Sequence, residues 1–395
     1  MLDNTLGSIV DVPAGYGIDY TRNSILLVEL LPVSGPASYD VPVGADLVQQ
    51  NAFDLSSIIS GSTSWSLVSN SNPDLVGTTL LSSSGQVRLT FDSTLADGTA
   101  TLTFRGENSL GQFGLYTVTV TTTGPLFVDG SAAGANDGSS WSNAFTSLQD
   151  ALAAAESGDQ IWVAKGIYVP GTTREATFQL VNNVKIYGGF MGGESSRTQR
   201  DPIANPTVLS GDVDGNDIGP DGIARTPADV VGGNAYHVVT ATGGLWQTTL
   251  LDGFVITAGQ ADGLLASQQS GGGLYGNLSG QSLVNCRFSG NQATARGGAI
   301  YLEGRDTPDF ANCVISGNVA DEGAGGALVD AIGGFINCSI YGNDATSSGG
   351  GLALLSGSGS TLNNCTVSGN GSGGNGGGIA SVDSLLIGYN TIVWG

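Results

Sequence analysis

Between about Leu31 and Thr123, apolar and polar residues alternate in short runs, most clearly in QVRLTFDS, ATLTFRGE and GLYTVTVTT. A period of two predicts half-buried strands, and the Gly, Ser, Asn and Asp clusters between the runs predict the turns of a β-sandwich. One later segment changes period. Leu148, Ala151, Leu152 and Ala155 recur at helical spacing, which predicts a helix from about Phe145 to Ala155, stopped by Ser157 and Gly158. A strand from Gln160 to Val169 is expected directly after it.

Further along, the pattern repeats itself. NCRFSGN, NCVISGN, NCSIYGN and NCTVSGN place Cys286, Cys313, Cys338 and Cys365 at intervals of 27, 25 and 27 residues, and Thr391 in NTIVWG follows 26 residues later. A short fixed period is the mark of stacked coils. Because strand side chains alternate, each cysteine and the residue two beyond it, Phe288, Ile315, Ile340, Val367 and Val393, point to one side, the expected core. Asn291, Asn318, Asn343 and Asn370 are expected to stack about 4.8 Å apart as an amide ladder. GGAIY at Gly297, GGALV at Gly325, GGLAL at Gly350 and GGIAS at Gly377 mark another corner and strand of each coil.

Length and charge then narrow the classes. The 395 residues are enough for two or three domains, each with its own core. A net charge of -22 repels nucleic acid and anionic membrane surfaces. No apolar run approaches the roughly 18 to 20 residues that span a bilayer, so membrane insertion is not expected. MLDNTLGSIVDVPAGYG lacks the basic start and apolar centre of a signal peptide; any export signal was removed or lay upstream, and Met1 reads as the start of a fragment. The cysteines fall at one point of successive repeats, which makes them stacked apolar residues rather than a disulfide framework, since parallel Cβ vectors bond poorly.

Three resemblances add to this reading. DLSS, SNSNPDLV, DGTATLTF and the closing TVTV resemble the cadherin-like and immunoglobulin-like modules of large bacterial surface proteins, which act mostly as spacers. The segment from FVDGSAAG to AKGIYV resembles the opening of secreted right-handed parallel β-helix proteins of the pectate-lyase-like kind, in which a short helix covers the first coil. Phe288 to Asn291 and Gly297 to Ile300 are similar to the FxxN and GGAI repeats of the chlamydial polymorphic membrane proteins, whereas later coils keep only the Asn and the GG. The resemblances imply an all-β chain: residues 1–30 an N-terminal strand or linker, 31–124 a cadherin/Ig-like β-sandwich, and 125–395 a right-handed parallel β-helix with a short N-terminal capping helix.

The candidate chemistry is sparse. In DVDGND, Asp212, Asp214, Asn216 and Asp217 gather oxygens on a glycine-bent loop, with Asp221 four residues on, as Ca²⁺ requires. The calcium loop is incomplete, because Asp217 stands where a Gly is needed and Ile223 where a Glu should close it. A solvated acidic turn is the alternative. Arg197, Arg200 and Asp201 form the one basic cluster, and lysines occur only at 165 and 185. Polysaccharide lyases need an Arg or Lys base and hydrolases need converging carboxylates. From Leu126 on, 23 acidic and 9 basic residues disfavour anionic polyuronates. His237 is expected as a structural ring, and Trp141, Trp162 and Trp246 as core residues or sugar platforms.

Two functions of different class follow. The first is a non-catalytic structural or adhesive protein of the extracellular bacterial surface, partnered by copies of itself, neighbouring surface proteins or glycans. The second is a glycan-active lyase or hydrolase, or a glycan-binding β-helix. NTIVWG begins a further coil at the chain's end, so either more coils follow or another molecule covers that end; SILLVELL, Ser24 to Leu31, is a candidate cover that would propagate a filament.

Overall fold

The computed structural model describes residues 16–21, 24–41, 48–73, 75–81, 84–91, 98–122, 124–304 and 307–394. Residues 1–15 of the segment read for an export signal, the boundary residue Thr123 and Gly395 lie outside them. The chain divides into two compact units, Met1–Gly124 and Pro125–Gly395.

In the first unit, Ser38–Val41, Phe113–Thr122, Gly98–Glu107 and Ser64–Asn70 form a four-stranded sheet in that order, and Val48–Asp54, Gln86–Phe91 and Val76–Leu81 a three-stranded one. The inward residues of Gly98–Glu107 and Phe113–Thr122, among them Leu102, Phe104, Tyr116 and Val118, meet Phe53, Val87 and Leu89 in one core. This is a β-sandwich: two sheets each hide one apolar face against the other. SILLVELL does not stand as a lone strand, because Ser24–Glu29 pairs antiparallel with Tyr16–Thr21.

The second unit is a stack. Successive coils give one strand each to a nine-stranded, an eight-stranded and a seven-stranded parallel sheet, and five of them add a short fourth strand to a five-stranded sheet. Equal residues therefore lie over one another. In the nine-stranded sheet Leu251, Leu283, Phe310, Phe335 and Leu362 form an inward column. Ile256, Phe288, Ile315, Ile340 and Val367 do the same in the eight-stranded sheet, and all ten are at most 1% exposed. Val393 continues that register but is half exposed, since no described strand stacks beyond it.

The cysteines line one buried column and all four are free thiols. Each Sγ donates to two carbonyls, Cys286 to Leu251 and Val284, Cys313 to Leu283 and Ala311. Thr391 repeats this pattern with its hydroxyl, which donates to Leu362 and Tyr389. The Cys286 and Cys338 sulfurs, with burial, push the Cys313 thiol well up. Native protein is accordingly expected to be inert to a thiol-titrating disulfide reagent and to release four equivalents once unfolded. Fast reaction in the native state would show the column to be open.

The residue before each cysteine makes the corner. Asn285, Asn312, Asn337 and Asn364 have φ of 52°, 55°, 54° and 54°, a left-handed bend that Asn tolerates better than other side-chain residues, and each ends a strand of one sheet and begins the next. The inner asparagines form the expected ladder. Nδ2 of Asn291 donates to Oδ1 of Asn318, that of Asn318 to Asn343, and that of Asn343 to Asn370, at 3.0, 2.9 and 2.9 Å.

Three expectations are corrected. The helix is shorter, Leu148–Ala154, because Ser147 caps it by accepting from the Gln149 N–H; Leu148, Ala151 and Leu152 close over the first coil's core. The strand after it is two strands, Gln160–Ala164 in the nine-stranded sheet and Gly166–Tyr168 in the eight-stranded one, because the chain turns a corner at Lys165. The GG words are also out of register: Ile300 pairs with Gly326, which pairs with Leu352, so the counterparts of Gly297 are Gly323, Gly349 and Gly376. These four share a φ of 62° to 67°, and a Cβ there would press on the carbonyl three residues on.

Candidate functional site

The outer face of the first coils carries an aromatic cluster. Phe127, Trp162 and Tyr187 point outward from successive strands, and Trp162 stacks on Phe190 at 4.8 Å and 10°. Trp141 packs on Phe127 and Phe190, and its Nε1 donates to the Glu194 carbonyl at 2.8 Å. This cover holds the 191–206 segment against the sheet. Trp141 and Trp162 are thus packing residues, whereas Trp246 is 63% exposed.

On that segment a 3₁₀ turn, Arg197–Gln199, is capped by Ser196. It places two of the sequence-identified residues over the Tyr187 ring: the Arg197 guanidinium at 4.7 Å and that of Arg200 at 5.3 Å. Arg197 Nη1 also donates to the Tyr187 hydroxyl at 2.8 Å. Arg200 reaches inward to Asp252, Nη2 to Oδ2 at 2.5 Å, with Nη1 donating to the Gly188 carbonyl. The other Asp252 oxygen accepts from Asn285 Nδ2 at 2.8 Å, and Asn312 Nδ2 donates to Asn285 Oδ1 at 3.2 Å. Asp201 turns away and caps its own loop, accepting from the Ile203 and Ala204 N–H groups.

Arg197, Arg200, Asp201, Asn285 and Asn312 line a groove of about 630 Å³, with Asp252 and Tyr187 behind them. One wall is the 197–203 segment, and the other is built by successive coils through Asn285, Arg287, Asn312 and Val314. Sequence reasoning found Arg197, Arg200 and Asp201. It missed Asp252, Asn285 and Arg287, whose only signal was their place in the repeat.

A second polar cluster lies on the outer face of the seven-stranded sheet. Glu303 accepts from Tyr275 Oη and Asn277 Nδ2 through one oxygen, at 2.5 and 2.7 Å, and from Tyr301 Oη through the other at 2.9 Å. Burial and the Glu303 hydrogen bond push the Tyr301 hydroxyl well up. His237 lies beside this cluster, 5.0 Å from the Tyr275 ring, with Nδ1 3.0 Å from the Gly271 carbonyl.

Burial holds the His237 pKa below 6.5, against hydrogen bonds to Gly271 and Ser267 that raise it. A depressed folded value means the unfolded chain binds the proton first. The contribution is whole above the ordinary imidazole value and is lost as pH falls through the folded one. The melting temperature should therefore fall between pH 7 and 5, and His237→Gln should flatten that slope because the chain has one histidine. An unchanged slope in the variant would assign it to carboxylates.

The acidic loop is closed by its own hydrogen bonds. Asp212 accepts the Gly215 and Asn216 N–H groups on one oxygen and that of Asp217 on the other. Asp217 accepts from Val231 N and Asn234 Nδ2, and Asp214 from Gly233 N. Asn216 lies exposed at the tip, and the exposed Asp221 faces Arg225 at 3.7 Å. Among the described residues no three His, Cys, Asp or Glu side chains converge as a metal ion would require. Burial pushes the Asp217 carboxyl up, opposed by its two donors and reinforced by Asp212 and Asp214.

Residues 272–393 match the family described as right handed beta helix region, which agrees with the parallel coils and gives their hand. No curated protein matches the chain. The solved structure of the Yersinia enterocolitica Family 28 Exopolygalacturonase is similar over 76% of this chain and 85% of that one, at 9% identity and a TM-score of 0.18, too low to carry an argument.

Proposed function

We propose that this chain is a non-catalytic building block of an extracellular surface assembly, a β-helix stalk that carries a docking groove, preceded by a cadherin/Ig-like spacer. The observation that carries this reading is the state of the acids in and behind the groove and in the tyrosine cluster. Asp252 is bound by Arg200 and Asn285, Glu303 by three donors, and Asp201 by its own backbone. The groove thus offers no pair of free carboxylates to share a proton and activate water. Incubation with neutral and acidic polysaccharides is expected to release neither new reducing ends nor unsaturated uronates. Turnover that disappears with Arg197→Ala or Asp201→Ala would replace this reading with an enzyme.

On the same reading the Asp212, Asp214, Asn216 and Asp217 loop is a closed polar turn rather than a Ca²⁺ site, because the Asp212, Asp214 and Asp217 carboxylates already accept N–H groups. A chelator should leave the melting temperature unchanged at constant ionic strength. A fall reversed by added calcium and absent in Asp214→Ala would make the loop a calcium site.

A further inference from the structure

The six described arginines of the second unit fall into two sets. Arg174, Arg200, Arg225 and Arg296 each face a carboxylate, of Asp262, Asp252, Asp221 and Glu322. Arg197 is held by the Tyr187 ring and hydroxyl instead, and Arg287 has no ion-pair partner among the described residues. Among the described residues, both arginines without a carboxylate line the same groove. Asp201 is the one carboxylate lining this groove, and its Oδ1 is taken by its own loop's N–H groups, so in a chain of net charge -22 two guanidinium groups without an ion-pair partner on one concave surface are a local inversion of charge.

We infer that this groove docks an extended acidic peptide segment of a partner protein, with Arg197 and Arg287 taking its carboxylates. The inference rests on the docking reading above and names its partner. A guanidinium fork matches a carboxylate in two parallel hydrogen bonds, and Arg197 is already oriented by Tyr187, so little side-chain freedom is lost on binding. The exposed amides of Asn285 and Asn312 each keep hydrogen-bonding capacity beyond their ladder bond, enough to meet a peptide backbone. Between the charges the wall is apolar: Ile203 is 94% exposed, and Pro202 and Val314 continue it. A mixed carboxylate and aliphatic chain fits this lining. A sugar chain fits it less well, because the one aromatic residue lining the groove, Phe254, is 1% exposed and offers no ring face for stacking.

The test is titration calorimetry of the full chain at low salt with a peptide of alternating Glu and Val, with polygalacturonate and inorganic sulfate as comparison probes. The peptide is expected to bind, with affinity falling as salt rises, and Arg287→Gln should weaken it about tenfold, the loss of roughly one charge-assisted bond. Arg225→Gln, outside the groove, should change nothing, and both variants should melt as the parent does. Absence of peptide binding overturns the inference. So does equal weakening by Arg225→Gln, which would mean diffuse attraction, or tight polygalacturonate binding lost in Arg287→Gln, which would make the groove a sugar site. Binding and turnover are read separately, so these failures leave the non-catalytic reading to its own assay.

Discussion

Asn318→Ala should lower the unfolding free energy by about 2–3 kcal/mol, as the orphaning of one buried N–H at about 1–3 kcal/mol and the loss of the other buried amide bonds imply. Asn318 is fully buried. Its Oδ1 accepts from the Asn291 N–H and from Asn291 Nδ2, and its own Nδ2 donates to the Phe288 carbonyl and to Asn343 Oδ1. Alanine leaves the Asn291 N–H facing a space too apolar to satisfy it, and takes from the Phe288 carbonyl the bond it accepts from Asn318 Nδ2. The control is Asn312→Gly in the exposed outer ladder, expected within about 0.5 kcal/mol of the parent because water replaces its amide partners and glycine accepts the φ of 55°. Urea unfolding followed by circular dichroism separates the two. Equal costs would mean that the inner ladder adds nothing beyond strand stacking.

The second large effect is expected at Asp252. Its pair with Arg200 is nearly buried, with side chains 10% and 14% exposed, and both oxygens are engaged. Asp252→Ala leaves a guanidinium held among the Gly188 and Asp252 carbonyls and the Tyr187 ring without a counter-charge, at a cost of about 3–5 kcal/mol. Removing both charges is a different experiment. Arg200→Met with Asp252→Leu should recover most of that loss, because desolvation of two ions nearly cancels their attraction. A double variant as unstable as Asp252→Ala alone would show that Arg200 supports the 197–203 segment by packing rather than by charge.

Stacking explains why so much was legible. A parallel coil places residue on residue, so the same chemistry must recur at Cys286, Cys313, Cys338 and Cys365, and at Asn291, Asn318, Asn343 and Asn370. Thr391 could be aligned with the cysteines from spacing alone, and its hydroxyl makes the same two carbonyl contacts. The capping helix was visible because Leu148, Ala151 and Leu152 keep a 3.6-residue period on one buried face. Where a word could be aligned two ways the sequence misled. Gly325–Gly326 resembles Gly297–Gly298, yet the backbone bend is at Gly323, because strand pairing and not word likeness sets the register.

Local order therefore came from the sequence by itself: strand period, coil length, the inward thiol and amide columns, and the helix at the start of the stack. Each of these depends on neighbours within one coil or on identity between coils. Only the tertiary structure could decide the site. Asp252 lies 52 residues from Arg200 along the chain, and Arg287 and Asn312 belong to later coils, so no window of sequence holds them together. Summed charge could not reveal the groove's arginines for the same reason. It makes anions unwelcome on average, while a carboxylate in the groove meets the few guanidinium groups within reach, because screening confines charge effects to about 10 Å.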